Sequence, residues 1–370
     1  RLDLRVGLDL NQRQSLALRH YWMADDAVLQ WARVSSRLQD TAIKASGKYS
    51  HSLDDAHTLG LGWDGAHTLR QENRIQREFS DFGYPTLDLN EDFSARVQRL
   101  ALFAQDEWAI HPAHALYMGM RWEGLSTRTW GVGLDPVHVQ SSVWSPTAQW
   151  RWKWPGERNE QLRLALARTY KAPTARELIP RRWVVNNNSA TTPNFRGNPA
   201  LVPELAWSLD LGYERYLANN GFLGANVYAR QIQNVVLQSL SQDDNGTWFR
   251  SPYNNCQARV LGLELEAKSQ LRQFWAAAPM VELRAAGTFN RSRVSNIAGP
   301  DNVLAMQPRQ SLTLGLDHRL ANSRWSWGSS WVRDSADWVR STAQFIQQTS
   351  GKRQWDVYAL QDLGKGRSLR

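Results

Sequence analysis

The chain has 370 residues, with 44 Lys and Arg against 35 Asp and Glu, 19 Trp and one Cys. The lone Cys256 excludes an intrachain disulfide, and the absence of any run of 18 apolar residues excludes a transmembrane helix. The formal net charge of +9 is scattered along the chain and is not gathered into a basic run. This spacing favours a solvated face or a polar lumen, so we expect no nucleic-acid partner.

Apolar and polar residues alternate from the first position onward. In "RLDLRVGLDL" all five even positions are Leu or Val, and the odd positions are Arg, Asp or Gly. The same alternation recurs at 161–166, 206–214 and 261–267, and "AQWRWKW" at 148–154 places three Trp on one face. It predicts strands with one apolar and one polar face.

Breaks in this alternation divide the chain into about fifteen predicted strands. In chain order they are 1–10, 15–23, 42–50, 57–72, 96–109, 114–124, 144–154, 161–170, 205–216, 221–236, 250–268, 279–292, 307–318, 324–338 and 353–362. Tight connections ("NQRQ", "SLDDAH", "HPA", "PGERNE", "LANN") alternate with longer ones at 24–41, 73–95, 125–143, 171–204, 237–249, 293–306 and 339–352. Only 269–278 is a long connection among the tight ones.

Short turns at one end and long loops at the other are typical of outer-membrane barrels. A strand of about ten residues crosses the hydrocarbon when it is tilted. Several Trp near strand ends fit interfacial girdles: Trp108, Trp122, Trp144, Trp154, Trp207, Trp331 and Trp355. Because a β protein in lipid must pair every backbone group, the sheet must close. The sequence predicts an all-β fold, an antiparallel transmembrane up-and-down β-barrel.

Four segments, in order, resemble the barrel of TonB-dependent outer-membrane receptors. They are "LFAQDEWAIHPAHALYMGMRWE", "ARTYKAPTARELIP", "GNPALVPELAWSLDLGYER" and "YNNCQARVLGLELEAK". The positions that match the family's motifs, which we expect to be structural, are Pro173, Thr174, Arg176, Glu177, Asn198, Pro199, Pro203, Glu204, Gly262 and Glu264. Lys171 stands where Arg is commoner in the family.

The resemblance implies that residues 1–370 form part of one 22-stranded barrel domain, of the plugged-transporter class. The family's signal peptide, TonB box and plug domain have no counterpart in this sequence, so a fragment of a receptor is expected. The implied function is uptake of a scarce nutrient, most often a ferric siderophore, across the outer membrane of a Gram-negative bacterium. The implied partners are the TonB–ExbB–ExbD energising complex, outer-membrane lipid, lipopolysaccharide and the small-molecule ligand.

Residues 171–204 are expected to form a large extracellular loop, where the resemblance places ligand capture. The basic, aromatic and amide side chains in it are our ligand-binding candidates: Arg181, Arg182, Trp183, Asn186, Asn187 and Asn188. Arginine binds anionic groups bidentately, and tryptophan offers an apolar surface. A loop that faces only solvent or lipopolysaccharide is the alternative.

No catalytic motif is present: there is no H-E-x-x-H, G-x-S-x-G or P-loop sequence. We therefore expect no enzymatic activity, no catalytic residues and no cofactor. No metal site is expected either, because His57 and His67 are separated by roughly 33 Å of extended chain. The alternatives are a plug-free porin or channel, an outer-membrane lipase or protease barrel, and a soluble Trp-rich propeller. The propeller predicts a repeat of about 40–50 residues, and the sequence has none.

Overall fold

The computed structural model describes residues 1–22, 28–80, 82–132, 134–156, 159–185, 187–305, 307–321, 323–340, 342, 345–364 and 367–369. These residues form nineteen strands, one helix and one 3₁₀ turn. In chain order they are β1 Leu2–Trp22, β2 Val28–Ser52, β3 His57–Ser80, β4 Pro85–His111, β5 His114–Gly131, β6 Leu134–Lys153, β7 Glu160–Lys171, α1 Ala175–Leu178, β8 Arg182–Trp183, β9 Asn194–Arg196, β10 Glu204–Leu217, β11 Gly221–Gln242, β12 Trp248–Gln270, the 3₁₀ turn Leu271–Gln273, β13 Val281–Val294, β14 Gln310–Arg319, β15 Trp325–Asp334, β16 Asp337–Arg340, β17 Ile346–Thr349, β18 Arg353–Gly364 and β19 Arg367–Leu369.

The main sheet is an antiparallel meander. Each strand from β1 to β7 pairs with the next, and β10 then continues the sheet beside β7. The meander proceeds from β10 through β15 to β18 and β19. Among the described residues, β1 has register partners only in β2 and β19 only in β18. The sheet is therefore an open, partial barrel, and the predicted fold class is confirmed.

The prediction of two strands at 1–10 and 15–23, joined by a tight turn, is wrong. β1 is continuous, and its residues 11–14 are paired in register with 37–40 of β2. The long loop predicted at 24–41 is likewise strand from Val28 onward, while 23–27 lie outside the described residues. Residues 11–14 are all polar, so the alternation breaks there although the strand continues.

Three of the other six long connections are hairpin extensions. The predicted loops 73–95, 125–143 and 237–249 are largely strand: β3 ends at Ser80 and β4 begins at Pro85, β5 ends at Gly131 and β6 begins at Leu134, and β11 ends at Gln242 and β12 begins at Trp248. Strands β2, β3 and β4 have 25, 24 and 27 residues, whereas about 9–11 suffice to cross a membrane. Roughly half of each strand therefore extends beyond a bilayer at the long-loop end. The loop predicted at 171–204 lies between β7 and β10, and its described residues contain only the short elements α1, β8 and β9.

The sheet has one apolar and one ionic face. Leu209 and Leu211 of β10 are about half exposed on the outward face. On the lumen face, Asp64 Oδ2 accepts a hydrogen bond from Arg121 at 2.5 Å, and Asp64 Oδ1 forms an ion pair with Arg99 at 3.0 Å. Arg121 also binds Glu123 at 2.9 Å. The outward face thus suits hydrocarbon, and the polar contacts lie inside.

Aromatic rings gather at the short-turn end of the sheet. The rings of Trp152 and Trp154 are 4.5 Å apart, and His114 stacks against Trp150 and Trp152. Trp108 stacks on a neighbouring strand's His57 at 5.1 Å. This grouping has the position and composition of an interfacial aromatic girdle.

The turn between β2 and β3 lies outside this girdle. The backbone N–H groups of His57 and Ala56 donate to Asp54, at 2.7 and 2.8 Å, and these bonds lower the pKa of its carboxyl.

No helix among the described residues has the length and apolar character needed to cross a bilayer.

The two faces can be compared at neighbouring positions of β10. Leu211→Arg places a charge on the outward face, and we expect it to lower the free energy of unfolding from lipid vesicles by about 2–4 kcal/mol. Gly212→Arg points into the lumen, where a new Cβ meets its nearest atom, Asn226 Oδ1, at an ordinary 3.6 Å. Denaturant titration of both variants should give Gly212→Arg a free energy of unfolding near that of the unsubstituted protein. Equal destabilisation by the two substitutions would contradict the assignment of the faces.

Candidate functional site

The loop 172–203 begins with a capped helical turn. Glu177 Oε2 accepts from the Thr174 backbone N–H at 2.8 Å, and Thr174 Oγ1 accepts from the Glu177 N–H at 3.3 Å. This reciprocal capping box satisfies the first free N–H groups of α1. Pro173 precedes it and has no N–H with which to extend the β7 ladder. The motif residues therefore end the strand and direct the chain into the lumen.

The loop packs on the inner face of the sheet. Ile179 is buried with Phe93 and Ala95 of β4, and Ala175 and Trp183 pack against the same cluster. Burial of these apolar groups stabilises the loop without help from lipid. The inner face of β4 is thus the surface on which the loop rests.

Arg181 fixes the loop to the sheet electrostatically. Its side chain is only 2% exposed, and Nε and Nη2 lie 2.8 and 2.5 Å from Glu91 Oε2. Glu72 lies 3.6 Å from Nη1. Arg74 lies near this ion pair, beyond the membrane-spanning part of β3. Burial, and secondly the positive charge of Arg181, lower the pKa of the Arg74 guanidinium. The predicted ligand-binding Arg181 is therefore already bound by two carboxylates, which makes it an anchor of the loop.

The loop's return to the sheet depends on close backbone contact. A Cβ on Gly197 would lie 1.9 Å from the Ile179 carbonyl oxygen. The Asn198 N–H donates to the Glu177 carbonyl at 2.6 Å, and its side chain donates to the Pro252 carbonyl at 3.0 Å. Only glycine allows the two arms of the loop to approach this closely.

The remaining family-motif residues form the base of the loop and the adjoining wall. Glu204 binds Lys171 at 3.2 Å and accepts from the Val236 N–H at 2.7 Å. The carbonyl of Pro203 accepts from the Asn234 side chain at 3.4 Å, and Pro199 lies in the segment between Asn198 and Pro203. On the wall, Glu264 accepts from Asn226 at 3.2 Å, and a Cβ on Gly262 would meet the Tyr228 ring at 2.1 Å.

Two short strands of the loop extend the sheet inward. β8 pairs with β9, so that Arg182 faces Arg196 and Trp183 faces Phe195. β9 runs parallel to β12 beside Phe249. The loop is therefore held in register with a barrel strand by backbone hydrogen bonds.

Each face of the β8–β9 pair has arginine side chains next to aromatic rings. Arg176 lies 5.3 Å from the Trp183 ring and 5.0 Å from the Phe195 ring. On the other face, Arg182 and Arg196 both lie over the buried ring of Phe249, at 5.3 and 5.6 Å. The guanidinium groups of Arg182 and Arg196 are exposed. We call Arg182, Arg196 and Phe249 the arginine pair on its ring.

The asparagine candidates differ in their surroundings. The Asn188 side-chain amide donates to the Trp248 carbonyl at 2.8 Å and accepts from the Trp248 N–H at 2.7 Å. It therefore bonds to the backbone of β12 in the way that a neighbouring strand would. Asn187 is exposed, and its carbonyl accepts from Thr192 at 2.5 Å. Asn186 lies outside the described residues.

Sequence reasoning missed Arg196 and Phe249. The only signal was the mirrored dipeptides at 182–183 and 195–196, Arg-Trp and Phe-Arg, which match across an antiparallel pair. Phe249 is far along the chain and carries no such signal.

Comparison with known proteins agrees with this architecture. Residues 1–367 match the profile described as "TonB dependent receptor-like, beta-barrel". The chain belongs to this family of TonB-dependent receptors. It is also 23% identical over 206 residues to the ferric enterobactin receptor of Pseudomonas aeruginosa, covering 54% of this chain and 25% of that protein.

Solved structures share the fold. The copper transporter OprC has a TM-score of 0.67 at 16% identity, covering 98% of this chain and 55% of that one. The ferripyoverdine receptor of Pseudomonas aeruginosa bound to ferripyoverdine has a TM-score of 0.67 at 11% identity, covering 99% and 48%. The catecholate import receptor Fiu of E. coli K12 has 0.64 at 12%, covering 98% and 56%. The chain thus spans about half the length of these receptors.

The buried ion pair makes a direct prediction for the loop. Arg181→Met leaves Glu91 and Glu72 without their cation, a loss of about 3–5 kcal/mol for a buried pair. We expect hydrogen–deuterium exchange at 175–200 to become about 100-fold faster or more while the barrel strands keep their protection. The control is Arg182→Met, the adjacent arginine with an exposed side chain. Equal exchange in the two variants would mean that Arg181 does not anchor the loop.

Proposed function

We propose that this chain is the ligand-receiving part of the barrel of an outer-membrane TonB-dependent receptor, in a Gram-negative bacterium, that imports a ferric siderophore of negative charge. Members of the family are receptors and transporters, and no covalent step is needed for binding or import. Lipopolysaccharide and phospholipid would surround the apolar outward face, and the TonB–ExbB–ExbD complex would supply energy for uptake.

The observation that carries the proposal is the arginine pair on its ring. Like charges directly opposite each other on paired strands destabilise a sheet. A bound anion would offset this cost, because guanidinium groups form bidentate, charge-assisted hydrogen bonds with anionic oxygens. The two guanidinium groups share the Phe249 ring beneath them, which keeps both positive charges on one side of the loop.

The relatives are named for two kinds of ligand, a metal ion and a ferric siderophore. OprC is named as a copper transporter, whereas other relatives are named for ferric enterobactin, ferric catecholate or ferripyoverdine. Two exposed arginines repel a free metal cation and attract a ferric catecholate, which is an anion. The charge of the loop therefore supports the siderophore class over a bare metal ion.

The candidate contacts come from the sequence and from the surroundings of the described residues. Arg181 would position the loop, because its guanidinium is already paired with Glu72 and Glu91. The proposed ligand-binding residues are Arg182, Trp183, Asn186, Asn187 and Asn188 from the sequence, joined by Arg196 and Phe249 from the structure.

A binding titration of the detergent-purified protein with ferric enterobactin tests this function. Quenching of tryptophan fluorescence reports the binding. We expect Arg182→Gln with Arg196→Gln to weaken binding at least about tenfold, because each charge-assisted hydrogen bond contributes about 1.5–3 kcal/mol. The control, Lys171→Gln, removes a charge at the same end of the barrel that is already paired with Glu204.

Equal affinity in both variants, or no binding of ferric enterobactin, ferripyoverdine or any other ferric siderophore, would contradict the proposal. Steady ion conductance in planar bilayers without ligand would favour the plug-free porin instead.

A further inference from the structure

Two arginines face each other on the outward side of neighbouring strands. Arg96 of β4 and Arg128 of β5 are register partners, and both are exposed. Arg96 has the same parity as the exposed Leu100, whereas the adjacent Ala95 is buried beneath the loop on the inner face. We call Arg96 and Arg128 the outward arginine pair. Like charges directly opposite each other destabilise a paired sheet, so the pair would be stabilised by an anion.

No carboxylate of the protein supplies that anion in the part of the chain that the structure describes. Asp92, the nearest carboxylate along the outward side of β4, is roughly 13 Å of strand away from Arg96, and it accepts from the Asn73 amide at 2.8 Å. Glu123 of β5 points into the lumen, where it binds Arg121 at 2.9 Å. The outward arginine pair is thus free to bind an anion from outside the chain.

Below the outward arginine pair, the outward face changes from polar to apolar in step on three strands. The next register partners are Gln98 of β4, Ser126 of β5 and Gln140 of β6. Farther down, Leu102 is opposite Trp122. From the long-strand end, the order is therefore basic, then amide or hydroxyl, then apolar.

A shallow groove of roughly 440 Å³ lies at the amide and hydroxyl level. At its floor, a Cβ on Gly124 would lie 2.9 Å from the Trp122 ring, so this ring covers the glycine. The Trp122 indole N–H donates to Ser142 Oγ at 2.8 Å, which fixes the ring. His138, the register partner of Arg128 on β6, has its Nε2 3.0 Å from Ser126 Oγ. A fixed aromatic face beside amides and hydroxyls suits a sugar.

The outward arginine pair lies at the membrane boundary of the long-strand end. About 40 Å of strand separates Arg96 from Trp108 of the aromatic girdle, which is about 28 Å along the membrane normal at a tilt of about 45°. The apolar band of such barrels is about 25 Å tall. The pair is therefore just beyond the hydrocarbon of the outer leaflet. In a Gram-negative outer membrane the lipid of that leaflet is lipopolysaccharide, whose phosphates are carried on an acylated sugar.

We propose that the outward arginine pair binds one phosphate of a lipopolysaccharide molecule. The sugar that carries this phosphate lies at the level of Gln98, Ser126 and Gln140, beside the Trp122 ring, and its acyl chains lie on the apolar residues below. A glycerophospholipid has no sugar between its phosphate and its acyl chains, so the intermediate polar level favours the glycolipid. The inference rests on the proposed function, since it requires the outward face to lie in an outer membrane.

Native mass spectrometry of the detergent-purified protein tests this site. The protein is mixed with lipid A that carries both phosphates, with lipid A from which the phosphates have been removed, or with phosphatidylglycerol, and the lipid retained per protein is counted. We expect phosphorylated lipid A to be retained at about tenfold lower concentration than either of the other two lipids, because guanidinium groups bind phosphate through paired, charge-assisted hydrogen bonds.

Arg96→Gln with Arg128→Gln should abolish the preference for the phosphorylated form. Both side chains are exposed, so these substitutions should leave the fold intact. The control is Arg33→Gln with Arg77→Gln, which removes the same charge from another exposed pair of register partners on the outward face, beyond the membrane. Arg77 is already paired with Asp88 at 3.3 Å, and this control should keep the full preference.

Gln98→Leu with Gln140→Leu tests the sugar level. These substitutions should weaken retention of both forms of lipid A and leave retention of phosphatidylglycerol unchanged. Equal retention of the three lipids by the unsubstituted protein, unchanged retention of lipid A in this variant, or the same result for both arginine variants overturns the lipopolysaccharide site alone. Recovery of the unsubstituted protein in the soluble cell fraction would overturn the proposed function together with it.

Discussion

The structure depends on one constraint: inside a bilayer, the backbone N–H and C=O groups must find their partners within the protein. The strands β1–β7, β10–β15, β18 and β19 meet it by pairing with their neighbours in one antiparallel meander, whereas β16 and β17 pair separately with each other. Once the pairing is fixed, the period of two separates the side chains, with Leu209 and Leu211 outward and Asp64 and Arg121 inward. The loop 172–203 can fold only where polar partners are available, and that is the lumen.

Strands that cross the hydrocarbon were predictable because lipid imposes alternation on them. β10 and β7 each begin and end within one residue of their predictions, 205–216 and 161–170. Pairing beyond the membrane imposes no such pattern, because water meets both faces. β1 therefore looked interrupted at 11–14, although Leu10 and Leu16 keep the same parity on either side.

The loop was recognisable from its composition, but the roles of its residues were not. Arg181 and Arg182 are adjacent and chemically identical, yet one is buried and the other exposed. The difference arises from Glu72 and Glu91, which are about a hundred residues away in the chain and reach Arg181 only through the curvature of the sheet. Phe249 is similarly remote from the arginines that it supports. Such long-range placement is set by topology, which local sequence patterns do not encode.

The most direct test of the two-faced sheet is a spin-label scan of β4 from 99 to 105 in lipid vesicles, with Cys256 replaced by Ser. Accessibility to oxygen reports hydrocarbon, and accessibility to a water-soluble nickel complex reports an aqueous surface. The account predicts a period of two, in which labels at 100, 102 and 104 meet oxygen and those at 99, 101, 103 and 105 do not. Uniform accessibility along the strand, or the opposite phase, would contradict a membrane-spanning barrel wall.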